Sequence, residues 1–289
     1  MIHNQKKSDK KVAGIFLEGK HLVAGNVFAG KIGRTFKTEI DNRETEAVII
    51  KVLINAIEDI WEKDTHAIGI GVPGLVDTIR GIAYNTINIP SWKEVHLGDV
   101  LKKHFGVSVF VNNDANCFTL GEKYFGNARK YNNIVGIISG AGLGAGIIVD
   151  NKLYSGVNCG AGEFGAVSYK DYTYEYYCTP GYFELKYGLN ADKLFKRLKK
   201  DDKIAKAIIE QFGYDFGNLI KTILLSVDPE YIVIGGDIEK FFPYFEPHIW
   251  KTLDTFPFHR SLEDLKIGIS DEPDIAVLGA AALCYDSWS

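Results

Sequence analysis

Cysteine is scarce in this chain. Only Cys117, Cys159, Cys178 and Cys284 occur in 289 residues, and no two form a Cys-x-x-Cys pair. That spacing supports neither a disulfide scaffold nor a thiolate metal site, and it suits reduced, buried thiols in a cytoplasmic protein. Excess charge is lacking too. Lys and Arg number 33 against 37 Asp and Glu, a formal net charge of −4, so the basic face that nucleic-acid binding requires is not expected. No apolar run reaches the roughly 18 residues a membrane span needs, and the polar start Met1–Lys11 has no apolar stretch behind it as a secretory leader would. Nucleic acid and membrane are therefore not expected partners. The seven histidines are scattered and suggest no ligand set, and no Pro/Ser-rich linker divides the chain.

What is present is ordinary globular composition, with 46% hydrophobic and 24% charged residues. A chain of this length makes one large domain or two lobes and buries about 75% of its extended surface. Val12–Leu17, His21–Phe28 and Ile32–Ile40 read as an antiparallel meander turned at Gly19 and Gly30. Ile49, Ile50, Leu53, Ile57 and Ile60 recur at the spacing of one helix face within Arg43–Lys63. His66–Val72 reads as a buried strand, Ser108–Asn112 as another, and Ala115–Phe125 as a helix. Asn133–Ser139, a glycine turn, Ala145–Val149 and Lys152–Ser155 then repeat the opening theme, and Phe216–Ser226 and Tyr231–Ile234 continue as helix and strand. Alternating strands and helices with a repeated meander predict a duplicated α/β fold with a ligand cleft between two lobes. The hinge is expected near Asn113–Glu122.

Two phosphate-like motifs mislead. Gly14–Lys20 fits G-x-x-x-x-G-K, but His21 stands where Ser or Thr should follow, and the stretch is a strand. Gly69-x-Gly71-x-x-Gly74 contains Pro73 and precedes no helix pattern. Three other stretches carry more. The run Gly140–Gly146 is either a backbone-amide nest for an anion or a tight hairpin needing positive φ. Asn112-Asn113-Asp114-Ala115-Asn116 either caps a helix or presents a carboxylate that accepts a hydroxyl proton. Gly162-Glu163-Phe164-Gly165 offers a carboxylate to a polyol, or is a solvated loop.

Taken in order, Gly71–Asp77, Asn88-Ile89-Pro90 with Trp92, Asn113–Asn116, the glycine run and Gly162–Gly165 together resemble the ROK family of repressors, open reading frames and sugar kinases. Asp228–Gly236 is similar to its adenosine-side segment and Leu278–Ala281 to its terminal helix. The resemblance covers about Ile68 to Leu278. It implies the actin/hexokinase-like, ribonuclease-H-like fold, with residues 1–115 plus 275–289 as one lobe and 116–274 as the other. It also implies transfer of the ATP γ-phosphoryl group to a hexose or N-acetylhexosamine hydroxyl with Mg²⁺, by a homodimer. Asp114 matches the catalytic base, and Asn88, Asn113, Glu163 and Glu184 match sugar-hydroxyl ligands. Gly140, Ala141, Gly142 and Gly144 match a phosphate turn, and Gly235 and Gly236 the nucleotide side.

Four departures from the family pattern stand out. In the first phosphate loop, Phe16 replaces an acid, and Glu18 puts negative charge where phosphates approach, a repulsion of up to ~4 kcal/mol at about 4 Å unless Lys20 offsets it. Ala141 replaces a Thr, losing a hydrogen bond to a charged group of about 1.5–3 kcal/mol. Ala166 replaces a His that would touch sugar and zinc. The zinc cysteines fall on Glu175, Tyr177 and Tyr182, with Cys178 off register, so no zinc is expected. The tyrosines there either pack together or sit exposed on a loop. These departures leave a second expectation, a sugar-binding sensor that has lost catalysis.

Overall fold

A computed structural model describes residues 10–86 and 89–288. Strands β1 (Val12–Glu18), β2 (His21–Phe28) and β3 (Lys31–Glu39) form the expected antiparallel meander. Gly19 and Gly30 turn it at φ 57° and 74°, backbone that side chains disfavour. Helix α1 (Glu46–Ile60) buries Ile49, Leu53, Ile57 and Ile60 on one face. Strand β4 (Ala67–Val72) is buried at every position and pairs parallel with β1, as a strand covered on both faces should. A small sheet of β5 (Leu75–Asp77), β6 (Ile82–Tyr84) and β7 (Glu94–Val95) follows, then α2 (Leu97–Phe105) and β8 (Ser108–Asn113), parallel to β4. Helix α3 (Asp114–Tyr124) begins where β8 ends.

The second half repeats this plan. Strands β9 (Ile134–Ser139), β10 (Leu143–Val149) and β11 (Lys152–Leu153) are antiparallel. Next come a hairpin of β12 (Ser168–Tyr169) and β13 (Tyr172–Thr173) and helices α4 (Tyr174–Cys178), α5 (Gly181–Tyr187), α6 (Ala191–Leu198) and α7 (Lys203–Val227). Strand β14 (Tyr231–Gly235), helices α8 (Phe242–Leu253) and α9 (Arg260–Glu263), strand β15 (Lys266–Ile269) and helix α10 (Ile275–Ser287) complete the chain. The two large sheets run β3-β2-β1-β4-β8 and β11-β10-β9-β14-β15. In each, the meander side is antiparallel and the other side parallel.

Two sequence boundaries need correction. The helix expected over Phe216–Ser226 is the end of α7, which starts at Lys203. Gly213 and Gly217 weaken its helical signature, yet a Cβ there would lie 2.7 Å from the Phe245 oxygen and 2.6 Å from the Thr252 Cβ, so they let α8 pack closely. Strand β10 begins at Leu143 and not Ala145, so Gly144 belongs to the strand.

Helix α10 packs on β1, β4 and α3, while α3 also packs on β9 and β10. Glycine makes the crossing of α3 and α10 possible. A Cβ on Gly279 would lie 1.7 Å from the Cys117 carbonyl oxygen, and one on Gly121 2.3 Å from that of Ile275. On the other side of α3, a Cβ on Gly136 or Gly146 would meet the Thr119 hydroxyl at 2.3 or 2.4 Å. Overpacking such a contact costs about 1–3 kcal/mol, roughly 2–12 °C of Tm for a chain this size. Gly279→Ala is therefore expected to lower Tm by that amount in thermal unfolding. Gly181→Ala, whose new methyl would approach only the Thr179 hydroxyl at 3.8 Å, should not. Equal melting of both variants would refute the close-crossing account.

Candidate active site

Strand β8 and helix α3 meet at Asn113, which is the helix N-cap. Its side-chain oxygen accepts from the backbone N–H of Ala115 at 2.8 Å and of Asn116 at 3.4 Å, and its amide donates to the Gly74 oxygen at 3.1 Å. Of the two readings of this stretch, capping belongs to Asn113, and Asp114 is left in the first helical turn facing a cleft. Asn112 ties the strand end to the loop that carries Glu163. Its side-chain oxygen accepts from the Asn116 amide at 2.9 Å and the Cys159 thiol at 3.0 Å.

The cleft has a volume of about 470 Å³ and brings together Asn113, Asp114, Glu163 and the Gly140–Gly144 segment. Asp114 is partly exposed there. Burial pushes its carboxyl up to about 7, and the charges of Glu18 and Glu163 add to this, while the Ala115 amide, donating at 2.8 Å, opposes it. Glu163 is raised as well, by burial first and then by the neighbouring Glu175. The glycines around Glu163 serve close approach. A Cβ on Gly162 would lie 2.1 Å from the Ala145 oxygen, and one on Gly165 2.4 Å from that of Leu143, so the loop rests on the β10 backbone.

The glycine run is a tight hairpin, closed by the Gly140 N–H donating to the Gly142 oxygen at 3.0 Å. Contrary to the hairpin reading, none of its glycines has positive φ. They make room instead, since a Cβ on Gly142 would approach the Glu175 carboxylate at 3.1 Å and one on Gly144 the Ala115 Cβ at 3.0 Å. The end of β1 places Glu18 in the cleft. Its carboxyl is raised by burial and by Asp237. Lys20, which could have offset Glu18, pairs with Glu39 at 3.0 Å.

The other expected residues fall elsewhere. Gly235 is buried, its α-carbon against the Phe118 ring. Gly236 borders an adjoining cavity of about 420 Å³ that shares Glu18 and Ile138 with the cleft. Glu184 is exposed on α5 and does not line the cleft. Asn88 lies outside the described residues. Glu175 and Asp237 do line the cleft, and the sequence reading assigned them no place in it. Asp237 directly follows Gly235-Gly236, which was the available signal, whereas Glu175 stood out only as a missing cysteine.

The residues aligned with zinc cysteines do not fit zinc. Glu175 accepts from the Leu143 N–H at 3.0 Å, and Tyr177 and Tyr182 are buried in a ring cluster. Tyr169 stacks on Tyr174 at 4.5 Å and Tyr172 on Tyr176 at 4.2 Å, so packing is the alternative the tyrosines adopt, although Tyr172 stays exposed at its edge. Lys170 lies over Tyr169 and Tyr177 and pairs with the buried Asp215. Among the described residues no three His, Cys, Asp or Glu side chains are grouped to hold a metal ion, and no helix is long and apolar enough to cross a membrane.

The ROK family profile matches residues 19–184 and 184–287. An N-acetyl-D-glucosamine kinase of Haemophilus influenzae is 30% identical over 84% of this chain and 88% of its own length. A xylose repressor of Caldicellulosiruptor bescii is 25% identical over 91% of this chain and 74% of its own. A Streptomyces griseus ROK glucokinase, solved with glucose and AMPPNP, superposes with a TM-score of 0.78 at 23% identity, covering 94% of this chain and 98% of that one. The duplicated α/β architecture is thus the fold of the ROK sugar kinases, the actin/hexokinase-like fold.

A carboxyl raised from 3.8 to about 7 binds its proton more tightly folded than unfolded, so it stabilises below the unfolded value and that contribution is lost as pH rises through 7. Asp114→Asn should therefore flatten the fall in Tm between about pH 4 and 7 and melt higher than the wild type at pH 8, by about 2–4 °C per kcal/mol recovered. Parallel Tm profiles for the two proteins across that range would contradict the raised carboxyl.

Proposed function

The chain belongs to the ROK family, and from that premise we propose that it is a sugar kinase with Asp114 as general base. The acceptor is a hexose or N-acetylhexosamine and the donor ATP. The observation that carries this reading is Asp114 itself, at the mouth of a buried helix, in a cleft of about 470 Å³, with its carboxyl near 7. A general base works best when its pKa lies near the working pH. In this reading Asp114 accepts the proton of the attacking hydroxyl, and Glu163 accepts a hydrogen bond from a neighbouring hydroxyl. Asn113 fixes the approach of both by holding the helix start to Gly74. Asn88 is assigned to the sugar side on family resemblance, whereas Glu184, exposed away from the cleft, is given no part in it. The Gly140–Gly142 turn and Gly236 face the phosphates and nucleotide. Magnesium would enter with ATP and neutralise phosphate charge. Phe16 offers no metal ligand, and among the described residues no three His, Cys, Asp or Glu side chains are grouped to hold one.

The lobes in this reading are residues 1–115 plus 275–289 and residues 116–274, and their closure excludes water, the competing acceptor. The protein works in the cytoplasm as a homodimer. A second reading is favoured by the charge of the cleft. Glu18, Asp237 and Glu175 all line it, and several relatives are named xylose repressors. On that reading the cleft binds sugar without turnover.

Coupled measurement of ADP release with Mg²⁺-ATP and a panel of hexoses and N-acetylhexosamines separates the two. A kinase gives sugar-dependent turnover that rises with pH through about 7, and Asp114→Asn lowers it by about 10²–10⁴. Calorimetric sugar binding with no turnover would replace the kinase with the binding protein. For the tyrosine cluster, EDTA is expected to leave Tm unchanged, and a fall on chelation would overturn the assignment of this region to aromatic packing.

A further inference from the structure

Two glycine turns border the phosphate side of the cleft, and in each a carboxylate of the chain already holds a backbone amide. Glu175 accepts from the Leu143 N–H at 3.0 Å, and Glu239 accepts from the Gly236 N–H at 2.9 Å. Glu175 is the better placed of the two. Its oxygen sits 3.1 Å from where a Gly142 Cβ would be, over the hairpin where an anion would rest in a nest of amides. Contacts of α4 and of the residue after it keep it there. The Ser139 hydroxyl donates to the Cys178 oxygen at 2.7 Å, the Thr179 hydroxyl to the Glu175 oxygen at 2.9 Å, and the Tyr174 hydroxyl to the Asn218 oxygen at 3.0 Å. Helix α4 is thereby fastened both to the end of β9 and to α7.

We infer that Glu175 is a built-in anion that closes the Gly140–Gly142 turn to phosphate and sets the preference of the cleft for neutral sugar over phosphate-bearing ligands. An amide that donates to a carboxylate makes a charge-assisted bond, stronger than one to a neutral acceptor. A phosphate oxygen entering the turn must break that bond and approach a like charge. A neutral sugar meets neither obstacle. Donor binding then requires Glu175 to swing off Leu143, so the turn is a competed site. The inference rests on reading this turn as the phosphate side, and it concerns binding rather than proton transfer by Asp114.

Calorimetric titration of the full chain with AMPPNP, and separately with glucose, tests this on the wild type, Glu175→Gln and Glu175→Ala, with Tm recorded for each. The Gln variant keeps an acceptor for the Leu143 amide, so it remains informative should the Ala variant unfold. Both variants, or Gln alone in that case, are expected to bind AMPPNP at least tenfold more tightly than the wild type, with glucose affinity unchanged within about threefold. AMPPNP affinity of Glu175→Gln equal to or below the wild type's overturns the inference, as does a loss of glucose affinity with no gain for AMPPNP. Wild-type turnover without any gain in the variants removes the inference and leaves the kinase standing. A gain in AMPPNP binding with no turnover in any form keeps the inference and removes the kinase.

Discussion

The cleft depends on how tightly one helix is held. Helix α3 is buried without a break from Ala115 to Glu122, and it is gripped from two sides. Helix α10 crosses it through Gly121 and Gly279, and the second sheet reaches its Thr119 through Gly136 and Gly146. At the far end, the buried Glu122 accepts from the Ser270 hydroxyl at 2.6 Å and the Asn127 N–H at 2.9 Å. A helix confined in this way cannot slide or roll, because close-packed interiors yield little. Asp114 sits on its first turn, so the position of that carboxylate is fixed by packing at Thr119, Gly121 and Glu122, farther along the same helix. Asn113 completes the restraint by capping the helix and holding Gly74 with one side chain.

Charge distribution decides what such a cleft can hold. Asp114, Glu18, Glu163, Glu175 and Asp237 share it with Lys20 and His21, and Lys20 is drawn to Glu39. With little positive charge to balance them, Asp114, Glu18 and Glu163 are all pushed upward, burial being the first cause for each. A neutral polyol gains from this arrangement, since carboxylates are strong acceptors for hydroxyl donors. A polyphosphate meets the same groups as repulsion. The two classes of ligand are thus sorted by field before shape matters.

Elements with a strong local signature were legible in the sequence. Both meanders, α1 and the buried strands β4 and β14 followed from periodicity and turn residues, and Asp114 and Glu163 from their ordered motifs. What was not legible depended on contacts distant in sequence. The helix expected over Phe216–Ser226 begins at Lys203, and within it Gly213 and Gly217 closely approach Phe245 and Thr252, which lie on another helix. The glycine run suggested positive φ, but its glycines answer to Ala115 and Glu175 across space. Glu175 read as an absent cysteine because nothing local reveals that a carboxylate there reaches the amide of Leu143.

The departures from the family pattern reach both sides of the cleft, Ala166 standing three residues after Glu163 in place of a His. Glu18, Ala141 and Glu175 lie around the Gly140–Gly142 turn. Asp114 and Glu163 hold the other side, and the thiol of Cys159 and the amide of Asn116 both donate to Asn112 behind them. Some of the altered positions make specific contacts. Glu175 takes up an amide, and Tyr177 and Tyr182, which replace metal ligands, pack in a tilted pair at 5.4 Å. The Glu175 carboxylate is thus compatible with the fold through the amide it accepts, and in the proposed reading it bears on phosphate binding.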